Sequence, residues 1–164
     1  MRNTRSLLIL AATSALAAPP PQASGSVTQP SLQLLVDGSK NPGKVPDLDA
    51  QRHFVLQASE HHAPNGQESS RRKAMLYLLG LSPADQTALL SALAGVREQL
   101  DTLNWNDPAP DPAAASARDA KYKQITDSAW QRVSTDISRA GMAKLSAYLQ
   151  SHVKRGIKIY GTAQ

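Results

Sequence analysis

Histidine is the side chain in this sequence best suited to hold a transition metal, and there are four: His53, His61, His62 and His152. Two histidines chelate from one helix when they stand four residues apart on one face. Position 57 is Gln57, so His53 has no such partner. His53 and His61 are two turns apart, about 12 Å along a helix axis, and the adjacent His61 and His62 point in different directions. His152 lies beside an apolar stripe and is a candidate partner from another element. A histidine in that setting is more often packed against its neighbours than ligating. The chain also has no cysteine, which removes thiolate metal sites, disulfides and covalent haem attachment. The reading is no cofactor, with a periplasmic metal-binding or metal-responsive helical protein as the alternative.

A hard cation needs another pattern. Asp37, Ser39, Asn41 and Gly43 alternate like the first ligands of a calcium loop, which also requires glycine at the sixth position and a bidentate acid at the twelfth. Those positions hold Pro42 and Leu48. Asp49 flanks Leu48, and so does Asp47, which follows Pro46 and suits a helix cap. Arg71-Arg72-Lys73 is a candidate anion patch in the first turn of a helix. The macrodipole disfavours cations there, and with Glu68 nearby a solvated helix end accounts for the run. No nucleophile stands beside a base, no acid and base are paired, and there is no phosphate-binding glycine loop. The serines and acids fall at caps and turns, which points to a non-enzymatic protein.

These residues sit in a chain with the three parts of a secretory signal peptide. Arg2 and Arg5 form a positive n-region, Leu7 to Leu16 a short apolar stretch, and Ala15-Leu16-Ala17 a cleavage site. The stretch is shorter than the ~20 residues a bilayer span needs. Cleavage would remove residues 1–17 and leave no membrane span. Residues 18–30, rich in Pro, Ala, Ser, Gly and Gln, read as a disordered tether. Without Arg2 and Arg5 there remain 16 basic and 13 acidic side chains, a mild excess spread along the chain that suits a solvated surface and not a nucleic-acid site. The protein is expected to be periplasmic or secreted.

Residues 31–164 read as one all-α domain, a four- or five-helix bundle. No run of strand alternation stands out. The first helix is expected from Asp47, with Leu48, Gln51, Val55 and Ala58 on one face and Phe54 beside them, fading at His61-His62-Ala63-Pro64-Asn65-Gly66. A second spans about Ser70 to Leu79; Met75 to Leu79 is apolar nearly all round and reads as buried, with Gly80 as its stop. Ser82, Pro83 and Asp85 form a capped start for a third, whose stripe is Leu89, Ala92, Leu93, Val96, Leu100 and Leu103. A fourth runs from about Ala113 to Thr135 through Tyr122, Ile125, Ala129 and Val133. A fifth follows Ser138 through Met142, Leu145, Leu149 and Val153 to Gly156. Leu81-Ser82-x-Ala84 and Ile137-Ser138-x-Ala140 echo each other, as two similarly capped helices would.

The loop ahead of the first helix is less generic. Asp37-Gly38 favours one turn and Asn41-Pro42-Gly43 another, because Pro42 holds φ and Gly43 tolerates positive φ. Pro46 stiffens the approach to Asp47. This stretch resembles an uncharacterised family of exported bacterial helical proteins that carry Asp-Gly-x-x-Asn-Pro-x-x-(Ile/Val)-Pro-Asp before a first helix. Ala50 and Arg52 to Phe54, Tyr77 to Ser82 with Asp85, and Leu145 to Tyr160 resemble its later segments, although His53 interrupts an aromatic pair. The resemblance implies an exported helical domain and no particular activity. Asp37, Gly38, Asn41, Pro42, Pro46 and Asp47 are therefore expected to form an ordered structural or interaction loop, and the partner to be a protein of the cell envelope.

Overall fold

Helices are expected wherever an apolar stripe recurs at 3.6-residue spacing behind a cap, and the five anticipated stretches are all present. The computed structural model describes residues 32–59, 70–104 and 107–162. The expected signal peptide and tether, and His61 and His62, lie outside the described residues. After a short strand β1 (Leu32–Asp37) and a 3-10 turn (Pro42–Lys44) come α1 (Asp47–Ala58), α2 (Ser70–Leu79), α3 (Pro83–Leu93), α4 (Val96–Asp101), α5 (Pro112–Asp136) and α6 (Arg139–Tyr148). The α6 helix continues through a π-helical turn (Leu149–Val153) and a last turn (Lys154–Gly156) into β2 (Lys158–Thr162). Among the described residues the fold is all-α apart from this two-stranded sheet.

The long α5 helix is the central strut, packed against α1, α3 and α4. Its Ile125, Ala129 and Val133 are buried, and Asp111 caps it by accepting from the Ala114 N–H at 2.7 Å. Phe54 of α1 is fully buried and meets Trp130 of α5 and Tyr148 of α6 edge-on, at centroid distances of 6.2 and 6.3 Å. Such edge-to-face pairs add about 0.5–1.5 kcal/mol beyond their burial. Arg52 and Asp127 tie α1 to α5 through two parallel bonds, Nε to Oδ1 and Nη2 to Oδ2, both 2.7 Å.

Four expectations need correction. The anticipated third helix is two, because Gly95 adopts φ 70° between α3 and α4; a left-handed residue cannot continue a helix. The stripe still works, since Leu89, Ala92, Leu93, Val96, Leu100 and Leu103 are all buried. In α1 the buried face is Ala50, Phe54, Val55 and Ala58, while Leu48 is 45% exposed. In α2 only Met75, Leu76 and Leu79 of the apolar run are buried; Tyr77 is 85% and Leu78 55% exposed. Finally, β1 and β2 pair antiparallel, Leu34 opposite Tyr160 and Val36 opposite Ile159, with Leu35 inserted as a bulge. That extra residue breaks the period-2 pattern by which a strand is recognised, and its partner strand is more than 100 residues away in sequence.

Candidate functional site

The loop residues are used mainly through their backbone. Asp37 accepts from Ser39 twice, from its Oγ at 2.6 Å and its N–H at 3.0 Å; the Ser39 hydroxyl is the main influence that lowers its pKa. The Asp37 carbonyl takes the Lys40 and Asn41 N–H groups. Pro42 opens the 3-10 turn behind Asn41, whose side chain makes no cap bond. Gly43 does not take the positive φ it would tolerate, and Gly38 does not take one either. Gly38 is required for close approach instead: its N–H donates to the Ile157 carbonyl at 2.9 Å, and a Cβ there would stand 1.9 Å from the Lys154 carbonyl oxygen. Val45 is buried in the core.

Asp47 does not cap α1. Pro46 is the N-cap, and no side chain caps the turn. As the first helical residue, Asp47 sends its carboxylate outward to the C-terminal stretch, 2.6 Å from Lys154 Nζ and 3.0 Å from Gln150 Nε2. The bond from Lys154 is the chief cause that lowers the Asp47 pKa. Lys154 is 6% exposed, so this contact supplies the counter-charge for a buried ammonium.

The two capped starts that echo each other come together on one carboxylate. Asp85 is buried. Its Oδ1 accepts from the Ser138 N–H at 2.8 Å, and its Oδ2 accepts from the hydroxyls of Ser82 and Ser138 at 2.9 and 3.0 Å. Each serine in turn caps its own helix, taking the N–H of Asp85 or Gly141 at 3.1 Å. The Ser138 N–H, then Ser82, hold the Asp85 pKa below the ordinary carboxylate value. Gly141 is needed because a Cβ would fall 2.5 Å from Ile137 Cγ2 and 2.8 Å from Asp85 Oδ2. Every polar atom is satisfied internally, so the cluster is a structural junction of α3 and α6.

The described histidines are engaged separately. His53 Nε2 lies 2.8 Å from the Gln57 amide, and burial, then Arg71, lower its pKa. His152 stacks on Tyr148 at 4.8 Å and has its Nδ1 2.8 Å from Ser151 Oγ. The same Ser151 hydroxyl donates to the Ala147 carbonyl at 2.7 Å. Among the described residues no three histidine or acidic side chains gather as a metal site. Arg72, expected in a solvated run, is buried and donates from Nε and Nη2 to the Ala58 carbonyl at 3.1 and 2.7 Å, closing the C-terminus of α1. No local sequence signal distinguishes it from Arg71.

Among the described residues, one concave surface is the face where α2 meets α6. Two hollows flank a ridge made by Leu78 and Tyr148. The larger, about 290 Å³, is lined by Leu79, Gly80, Lys144, Ala147, Ser151 and His152 as well as the ridge. The smaller, about 190 Å³, adds Gln57, Arg71, Arg72, Ala74 and Met75. Lys144 Nζ also donates to the Gly80 carbonyl at the end of α2. The π-helical turn contributes Ser151 and His152; such turns are uncommon and frequent at functional sites. A third hollow of about 220 Å³, beside Arg52, mixes Asp49, Asp119, Lys123 and Tyr122, with Lys123 paired to Asp119 at 2.6 Å. Comparison of the chain with family models, with curated proteins and with solved structures finds no match.

Proposed function

We propose that this chain is an exported, non-enzymatic helical module that works by contact with another protein of the cell envelope, and that the α2–α6 face makes the contact. The carrying observation is the exposure of Tyr77 and Leu78, with Leu78 at the rim of two hollows. Large apolar side chains left beside concave, partly apolar surface mark interaction sites. The export half is supported by the signal-like N-terminus and by the resemblance of Asp37–Asp47 to the exported family. No helix among the described residues is long and apolar enough to cross a membrane.

Both halves are open to direct test. The exported protein is expected to begin at Ala18 on N-terminal sequencing; a chain retained in the cytoplasm and beginning at Met1 refutes export. A photo-crosslinking residue at Tyr77, in producing cells, is expected to trap one discrete protein. The adduct should vanish when Leu78 is replaced by Asp, and it should not form from exposed Lys121 of α5. A folded chain that yields no adduct at Tyr77 refutes the contact.

A further inference from the structure

The β1–β2 ribbon is small, yet it carries much of the exposed apolar surface. Six large apolar side chains are exposed among the described residues, and three of them, Leu34, Leu35 and Tyr160, stand on this ribbon. Residues directly opposite each other in a sheet share a face, and successive residues of a strand alternate. Val36 and Ile159 are opposite each other and pack against the core. Tyr160 and its partner Leu34 therefore face outward. The bulge makes this possible, because without the extra Leu35 the side chains of Leu34 and Val36 would share a face. Leu35 itself is 61% exposed. Lys158, two residues before Tyr160, is exposed on the same outward face. Other cations gather at the base of the ribbon. Lys40 and Lys158 both act on the Asp37 carboxylate, which is taken up by Ser39. Lys44 and Arg155 are exposed in the adjoining turns. From Lys154 to Thr162 the chain has three basic residues and no acid.

We propose that the outward face of the ribbon binds the surface of an anionic phospholipid bilayer. Leu34 and Leu35 enter the boundary between headgroups and acyl chains, and Lys40 and Lys158 meet lipid phosphates. The arrangement matches the layers of a bilayer interface: leucines sink into the apolar edge, a tyrosine ring sits at headgroup level, and ammonium groups meet the negative surface. An added strand from another protein suits the ribbon less well, because the bulge in β1 breaks the regular row of edge groups that such a strand follows. A nucleic acid would meet the cations and leave the leucines in water. The proposed contact shares no residue with the α2–α6 face, so neither reading depends on the other.

Sedimentation with vesicles tests this, using the chain from Ala18 onward, which is the expected exported form and keeps every described element. Phosphatidylglycerol vesicles are expected to bind it at least about tenfold more tightly than phosphatidylcholine vesicles, and less tightly as salt rises. Leu35→Ser is expected to weaken the binding about tenfold, through the loss of one inserted side chain, and Lys158→Gln about fivefold. Both positions are exposed, so circular dichroism and Tm should stay unchanged; if Leu35→Ser disturbs the bulge and lowers the Tm, Tyr160→Ser supplies the apolar reading instead. Leu78→Ser, on α2, is expected to bind as the parent chain does. No binding to either vesicle, equal binding to both, or an equal loss in Leu78→Ser overturns the proposal. So does full affinity in the apolar variants with loss only in Lys158→Gln, because the ribbon would then read charge alone, as an acidic protein surface offers.

Discussion

The loop from Asp37 to Asp47 is polar and yet is built into the fold, whereas the run from Met75 to Leu79 is apolar and yet leaves two of its members in solvent. Both lie against the last helical stretch, the loop at Lys154–Gly156 and its π-helical turn, α2 at α6. The loop docks by backbone: the Gly38 N–H on Ile157, the Asp37, Asn41 and Pro42 carbonyls closing their own turns, and Asp47 on Lys154. The α2 helix docks by one face only, through Met75, Leu76 and Leu79. A helix presents residues about 100° apart in turn, so five consecutive apolar side chains cannot all face one neighbour. The surplus pair, Tyr77 and Leu78, is what the fold leaves available. Polarity alone therefore misplaces both regions; hydrogen-bonding demand and helical geometry separate them.

The difference is sharpest under substitution. Gly38→Ala is expected to have the largest effect, about 3 kcal/mol or more, because the new methyl group meets the carbonyls of Lys154 and Ile157 at 1.9 and 2.7 Å and one side of the contact must move. Urea unfolding measures it; a loss below about 0.5 kcal/mol means that the loop does not dock as described. Asp47→Ala is expected to cost about 1 kcal/mol, through loss of the counter-charge to Lys154 and not through a lost cap. The cap account predicts recovery with Ser at 47; the counter-charge account predicts none, so Asp47→Ser decides between them.

Acid should report the same contacts. Asp37, Asp47 and Asp85 all have pKa values below their ordinary 3.8 in the fold. Their contribution is complete above that value and is lost as pH falls through the lower, folded values. His53, lowered from 6.5, binds its proton more readily when unfolded, so it contributes a shallower loss that begins below pH 6.5. A Tm profile is expected to decline gently below pH 6.5 and steeply below pH 4. In Asp47→Ala the steep part should be shallower; an unchanged acid limb removes Asp47 from the account. The smallest effect belongs to the open face. Leu78→Ser should change stability by no more than about 0.5 kcal/mol, and a larger cost in thermal unfolding would mean that Leu78 is a core residue with no surface to offer.

The sequence by itself determined what depends on neighbours along the chain. The caps at Ser82 and Ser138, the stop at Gly80 (φ 57°) and the stripes of α3 to α6 are periodic or local signals, and an intrahelical bond spans only four residues. Tertiary structure decided whatever required a distant partner. Asp85 reads as an ordinary N3 acid until Ser138 arrives from 53 residues away to share it. Asp47 reads as a cap until Lys154 draws its carboxylate across to the far end of the chain. Gly38 reads as a turn residue, though its missing Cβ makes room for a carbonyl from Lys154. The identical basic residues Arg71 and Arg72 divide, one inward to Ala58 and one to the rim of a hollow, because only packing sets which side of α2 is covered. The open face arises the same way: α6 covers part of an apolar run, and nothing local to that run says where the cover stops.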